Sequence, residues 1–202
     1  MKVGVILVGK LFCLLGKSGA GKDTLFEQVT HSPAFCGRIS PVVLYTTRPK
    51  RESEVCGKHY HFVSVGQMDE LERRGCIVEK RQYDTVHGVW HYFTAAFELP
   101  ERGDLITITT PHGTKKLAGK IGAQNMVLIH LVASDKTRLE RSIVREGKQT
   151  RPNYAEVCRR YLADEQDFAD ADFSGFAVFE IDANRKPDDA LAAFKDIYNK
   201  NP

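Results

Sequence analysis

The sequence predicts an α/β fold: a parallel five-stranded sheet flanked by helices, with an inserted small α+β lobe and a lid. Three observations carry this prediction. Short apolar runs recur at wide spacing, at 11–15, 42–45, 105–109, 126–132 and 176–181. Each is bounded by polar, Gly or Pro punctuation, as strands buried on both faces are. Helical patterns lie between several of the runs, and alternating strands and helices imply parallel pairing. The stretch from about 47 to 99 breaks that alternation with shorter segments set close together.

Taken in order, residues 3–8 are apolar but too few to span a membrane, and read as an N-terminal extension or extra strand. Leu11–Leu15 is the first core strand, and it runs through a glycine-rich turn into a helix over 23–29. Val42–Tyr45 is the second core strand. His59–Val63 reads as a short strand, and Ser64–Arg74 as a helix with a capping start and Gly75 as its stop. Ile77–Gln82 and Val89–Thr94 complete the inserted lobe as strands. Leu105–Thr109 returns to the core, and a helix follows over 110–120. After the strand Met126–Val132, Ser134 caps a helix over 135–145. The stretch Arg145–Arg160, rich in Arg and Lys and broken by Gly147 and Pro152, reads as a second insertion. The strand Phe176–Ile181 precedes a last helix opened by Pro187 and running to Tyr198. The expected division is one domain: a core of about 9–46 and 98–202, an insertion of about 47–97 and a lid of about 145–160.

Composition suits one globular domain, with 202 residues of which 42% are hydrophobic. A net charge of +3 is too small to argue for nucleic acid, and no apolar stretch argues for a membrane. Five scattered cysteines without C-x-x-C spacing indicate neither a disulfide framework nor a zinc site, so a cytoplasmic location is expected.

The chemistry begins at the glycine-rich turn. Gly16, Gly21 and Lys22 have the spacing G-x-x-x-x-G-K, between a strand and a helix N-terminus. Backbone N–H groups from Gly16 through Ser18, Gly19, Ala20 and Gly21 can wrap an oxyanion, and the helix's positive end favours negative charge there. Lys22 adds a cation for the outer phosphates. Asp23 stands where Ser or Thr normally binds magnesium, with Thr24 next. A carboxylate also binds magnesium, so Asp23 and Thr24 are the expected metal ligands. A second anion site follows the second strand. Arg48 and Arg51 lie three apart on a loop, after two threonines and before Glu54. Two guanidinium forks can grip a phosphate dianion in a bidentate way, with Glu54 holding one arginine when the ligand is absent.

The stretch from Thr46 to Ser64, 19 residues without a gap, resembles the guanylate kinase family's T-T-R-x-x-R-x-x-E-x-x-G-x-x-Y-x-F-V-S. With the phosphate loop, the resemblance extends loosely over nearly the whole chain. It implies transfer of the ATP γ-phosphoryl group to a nucleoside monophosphate, GMP or dGMP, with Mg2+ as cofactor. It places Arg48, Arg51 and Tyr60 on the acceptor phosphate, Glu79 and Thr94 on the base, and Tyr92 on phosphate. Arg141 and Arg145, four apart on a helix, with Arg160 beyond them, resemble the lid arginines that neutralise charge during transfer. The catalytic set implied is Lys22, Arg48, Arg141 and Arg145. Three departures from the family pattern involve four positions. Leu44 replaces a base-reading serine, Ile108 and Thr110 replace the acids of a D-x-D, and Asp23 enters the loop. The last two suggest that the carboxylate organising magnesium has moved to Asp23. The G-K-D loop is also similar to that of ribose 1,5-bisphosphate phosphokinases and some phage deoxynucleotide kinases, which keeps other acceptors open. A non-catalytic guanylate-kinase-like module is the remaining alternative, and the intact phosphate loop stands against it.

Overall fold

A computed structural model describes residues 9–52, 54–85, 88–99 and 103–201. Residues 1–8, read as an extension or extra strand, lie outside the described residues. The core is a parallel five-stranded sheet ordered β2-β7-β1-β8-β9. Its centre is β1 (Leu11–Leu15), paired with β7 (Asp104–Ile108) on one side and β8 (Met126–Val132) on the other. β2 (Ile39–Pro41) and β9 (Ala177–Asp182) form the edges.

A central parallel strand has both faces covered, so β1 carries an unbroken apolar run. Phe12 and Leu14 point into a core shared with α1 (Lys22–His31) and α6 (Pro187–Lys200). Leu11, Cys13 and Leu15 point the other way, towards Leu117 and Ile121 of α3 (Pro111–Ile121). The rings of Phe12, Phe35, Phe194 and Tyr198 interlock across the first core. The Tyr198 hydroxyl donates to Asp104 at 2.8 Å, fixing α6 to the end of β7.

The inserted lobe is a four-stranded mixed sheet ordered β4-β3-β6-β5. β3 (Tyr45–Thr46) lies parallel to β4 (His61–Phe62) and antiparallel to β6 (Gly88–Ala95), which pairs with β5 (Ile77–Thr85). α2 (Val65–Arg73) has a full capping box: Ser64 accepts from the Gln67 amide and Gln67 returns a bond to the Ser64 amide. Gly75, the expected stop, lies just beyond it with φ 69°.

One expectation needs correction. Val42–Tyr45 is not a core strand. The core strand is Ile39–Pro41, and the chain then crosses to the small sheet, whose first strand begins at Tyr45. Val42, Val43 and Leu44 are apolar because they are buried during the crossing. The Val42 amide still reaches Ile106, while Leu44 already accepts from His61 in the small sheet. The segment 145–160, read as an insertion, is mostly helical. α4 (Asp135–Gly147) runs past Arg145, and after a short connection α5 (Tyr154–Ala169) begins at an Asn153 cap.

Candidate active site

The phosphate loop follows β1 at the carboxyl edge of the sheet, where ligands of open α/β folds bind. Gly19 has φ 81°, and a Cβ there would lie 2.5 Å from the Arg138 carbonyl, so only glycine fits. Lys22 folds back over the loop and donates to the carbonyls of Gly16 at 2.6 Å and Lys17 at 3.1 Å. Burial pushes its ammonium below the ordinary lysine value, opposed by the carboxylates of Asp23 and Asp164. The loop's anion-binding character is visible in its own contacts. The Ser18 amide donates to Asp164 of α5 at 2.6 Å, and Lys17 pairs with Glu165 at 2.5 Å.

The expected second anion site is organised by Glu54. Its two carboxylate oxygens accept from Arg48 at 2.9 and 2.7 Å, and one also accepts the Arg51 amide at 2.8 Å. Burial alone would raise the Glu54 carboxyl, but these bonds outweigh it and hold it below the ordinary value. Arg48 is buried, and its guanidinium lies 5.5 Å from the ring centres of Tyr60 and Phe62. Burial, then the nearby Arg48 and Arg160, push the Arg51 guanidinium down. Arg145 adds to that crowding. Cations held this close mark a place where an anion belongs. Tyr60 packs edge-on against Tyr92 at 5.7 Å, and its buried hydroxyl is pushed up, so it remains a donor.

One cavity is lined by Gly16, Ser18 and Lys22 together with Tyr60 and Tyr92, while Arg51 lines a neighbouring one with Lys50 and Arg160. The floor of the first comes from the β5–β6 hairpin, where Arg81 faces Tyr92 and Tyr83 faces Trp90 in register. Glu79, on the same face one rung deeper, is buried and accepts from Thr94 at 3.2 Å. Arg81, absent from the expected site residues, lines the cavity and stands 3.7 Å from Glu79. The alternation Glu79, Arg81, Tyr83 was the signal that could have found it. Leu44, Ile108 and Thr110, the departures from the family pattern, line this same cavity.

The helix α4 places its arginines differently. Arg141 donates to the Ala183 carbonyl at 2.9 Å and to Gly19 at 3.4 Å, beside the phosphate loop. Arg145 is exposed on the same helix. Arg160 and its neighbour Arg159 both bind the buried Glu156, at 2.9 Å for Arg160 and 2.8 Å for Arg159. Arg138, also missed, is 2% exposed and joins Glu165 at 2.9 Å to the Ser18 carbonyl.

Asp23 and Thr24 are exposed at the start of α1, beside a cavity that Leu44, Lys58 and Tyr60 also line. A hard carboxylate with a hydroxyl beside it fits magnesium, which keeps most of its waters and is shared with substrate phosphates. No group of three or more His, Cys, Asp or Glu that could hold a metal occurs among the described residues. No helix among them is long and apolar enough to cross a membrane.

The guanylate kinase family model matches residues 8–174. A guanylate kinase of Brucella melitensis is 27% identical over 200 residues, covering 97% of this chain and 84% of that protein. One of Lactobacillus acidophilus is 30% identical over 147 residues, covering 70% of this chain and 68% of that protein. The crystal structure of guanylate kinase from Anaplasma phagocytophilum superposes with a TM-score of 0.59 at 17% identity, covering 96% of this chain and 86% of that one. That last likeness is one of fold.

Proposed function

Because the chain belongs to the guanylate kinase family, and is thereby an ATP-dependent nucleoside monophosphate kinase, we propose that GMP or dGMP is its acceptor. The products are then ADP and the nucleoside diphosphate. The observation that carries this reading is the cavity lined both by the Lys22 loop and by Tyr60 and Tyr92. The phosphate loop and the two tyrosines expected on the acceptor phosphate, lining one space, suit in-line phosphoryl transfer, since catalysis there is mainly positioning and charge compensation.

In this reading Lys22 and the amides from Gly16 to Thr24 hold the donor phosphates. Arg48, Arg51, Tyr60 and Tyr92 hold the acceptor phosphate, and Glu79 and Thr94 support the base end. Arg141, Arg145 and Arg160 neutralise the moving charge and help exclude water. Asp23 and Thr24 hold magnesium, which supplies charge neutralisation on the donor phosphates. Asp23→Ala should raise the magnesium concentration needed for half-maximal rate by about tenfold. An unchanged magnesium dependence would remove Asp23 from this role. The parts are the core of about 9–46 and 98–202, the acceptor insertion of about 47–97 and the lid of about 145–160, in a cytoplasmic enzyme with no nucleic-acid or membrane partner.

Leu44 favours a second reading, in which another nucleotide or ribose 1,5-bisphosphate is the acceptor. Leucine in the cavity wall offers no hydrogen bond to a guanine. The deciding experiment is ADP release from Mg-ATP with GMP, dGMP, AMP, CMP, UMP, dTMP and ribose 1,5-bisphosphate. Preference for GMP or dGMP supports the proposal, and preference for another acceptor replaces it.

A further inference from the structure

We propose that Arg159 is a further catalytic residue, set on the moving phosphoryl group, and that Glu156 is the positioning residue that holds it there together with Arg160. This rests on phosphoryl transfer taking place in the cavity that Lys22 and Tyr92 line.

The argument starts from the first turns of α5. Glu156 lies three residues before Arg159 and four before Arg160, so one helical turn brings both guanidinium groups to it. Neighbouring residues on a helix diverge by about 100°, and a residue at that spacing can hold the two at once. Glu156 Oε2 accepts from Arg159 Nε at 2.8 Å. Its Oε1 accepts from Arg159 Nη2 at 2.8 Å and from Arg160 Nε at 2.9 Å. Arg159 is gripped as a fork, and Arg160 by one nitrogen. Arg159 Nη1 and both terminal nitrogens of Arg160 are left without a hydrogen bond among the described residues.

Both arginines line the cavity of Lys22, Tyr60 and Tyr92. Arg160 also lines the neighbouring one with Arg51, and it helps to push the Arg51 guanidinium down. Arg159 belongs with the hairpin instead. The Glu156 bond raises its guanidinium, and Tyr83 and Tyr92 add to that. Arg159 is thus close to a tyrosine expected on the acceptor phosphate, in a cavity that the donor lysine also lines.

Stability does not account for Glu156. Its side chain is only 8% exposed, and a carboxylate buried there loses hydration that an apolar residue of similar size would not. A carboxylate is favoured in the first turn of a helix, but an exposed one would serve as well. What the buried one adds is a fixed direction for two long, flexible side chains. A guanidinium is planar, so the edge held by Glu156 and the nitrogen left over point in set and different directions.

The chemistry suits such a pair. In the transfer, the bond between the γ-phosphorus and the ADP oxygen breaks, with its electron pair going to ADP. An oxygen of the acceptor phosphate forms the new bond, and no proton leaves either arginine. Charge spreads over the moving group's equatorial oxygens, where donors fixed beforehand are most effective. Arg159 donates to them through Nη1 from the side of Tyr92, and Arg160 through its terminal nitrogens.

The test is steady-state kinetics with Mg-ATP and the preferred acceptor of the panel above, in the wild type, Arg159→Met and Glu156→Gln. Arg159→Met should lower kcat about 30–300-fold with both KM values within about threefold, the mark of an interaction made only in the transition state. Glu156→Gln should lower kcat about 10–30-fold, again with both KM values held. An Arg159→Met rate within about threefold of wild type would overturn the inference, and so would a loss confined to either KM. A wild-type rate in Glu156→Gln would overturn the positioning role. Arg159 is partly exposed, so Arg159→Met decides even if Glu156→Gln does not fold. Wild-type turnover with an unaffected Arg159→Met defeats the inference alone. No wild-type turnover of any acceptor defeats the reading it rests on as well.

Discussion

Glu54 binds Arg48 through both oxygens and the Arg51 amide through one of them. Arg48 is thereby set in place before any ligand arrives, whereas the Arg51 guanidinium is left among cations. Arg51→Ala should raise the acceptor KM about 10–100-fold and lower kcat, with the KM for ATP within about threefold. Steady-state kinetics with each substrate varied in turn checks this, and a loss confined to ATP would contradict it. The cluster of Arg48, Arg51 and Glu54 was legible in the sequence because all three lie close together on one loop. Arg81, Arg138 and Glu156 were not, because a single charge in a polar stretch looks solvated until its partners are known. Thr110 and Glu165, the partners of Arg81 and Arg138, are distant in sequence, and Glu156 has Arg159 and Arg160 one helical turn away on a helix the sequence reading did not place.

At the scale of elements, α5 is the piece that organises the donor end. It sends Asp164 to the Ser18 amide and Glu165 to Lys17 and Arg138. A carboxylate on a phosphate-loop amide occupies an anion's place and repels the incoming triphosphate. Asp164→Asn should therefore tighten ATP binding by about 3–10-fold, measured by calorimetry at low ionic strength. Weaker binding would mean that Asp164 serves the nucleotide. The helix itself was hidden by its composition, since 145–160 read as an insertion rich in Arg and Lys and broken by Gly147 and Pro152. The run Val42–Leu44 misled in the opposite sense. Its apolar residues are buried, but in a crossing between two sheets, and burial alone does not make a strand. By contrast, Leu11–Leu15 and Met126–Val132 matched their strands because they lie inside the sheet, where apolar sequence and pairing coincide.

For the whole molecule, the lobe and the lid each hold a buried carboxylate among their own arginines, and these pairs set its response to acid. Glu156, like Glu54, would be raised by burial but is held below its ordinary 4.5 by its arginines, Arg159 and Arg160. A carboxyl depressed on folding stabilises the native state when ionised. That contribution is complete above about 4.5 and is lost as pH falls through the lower native values. The thermal midpoint should therefore drop on acidification below that point. Glu54→Gln should be less stable at neutral pH and lose less over the same acid range. Parallel pH profiles for the two proteins would contradict the pairing. The central claim is that the two phosphate sites pass a phosphoryl group from ATP to GMP. Phosphorus NMR of Mg-ATP with GMP tests it directly, with Lys22→Ala alongside. The account predicts GDP and ADP in equal amounts, and a rate lower by about 100–1,000-fold in Lys22→Ala with the fold retained. ADP appearing with free phosphate and no GDP, or GDP forming at an unchanged rate in Lys22→Ala, would contradict it.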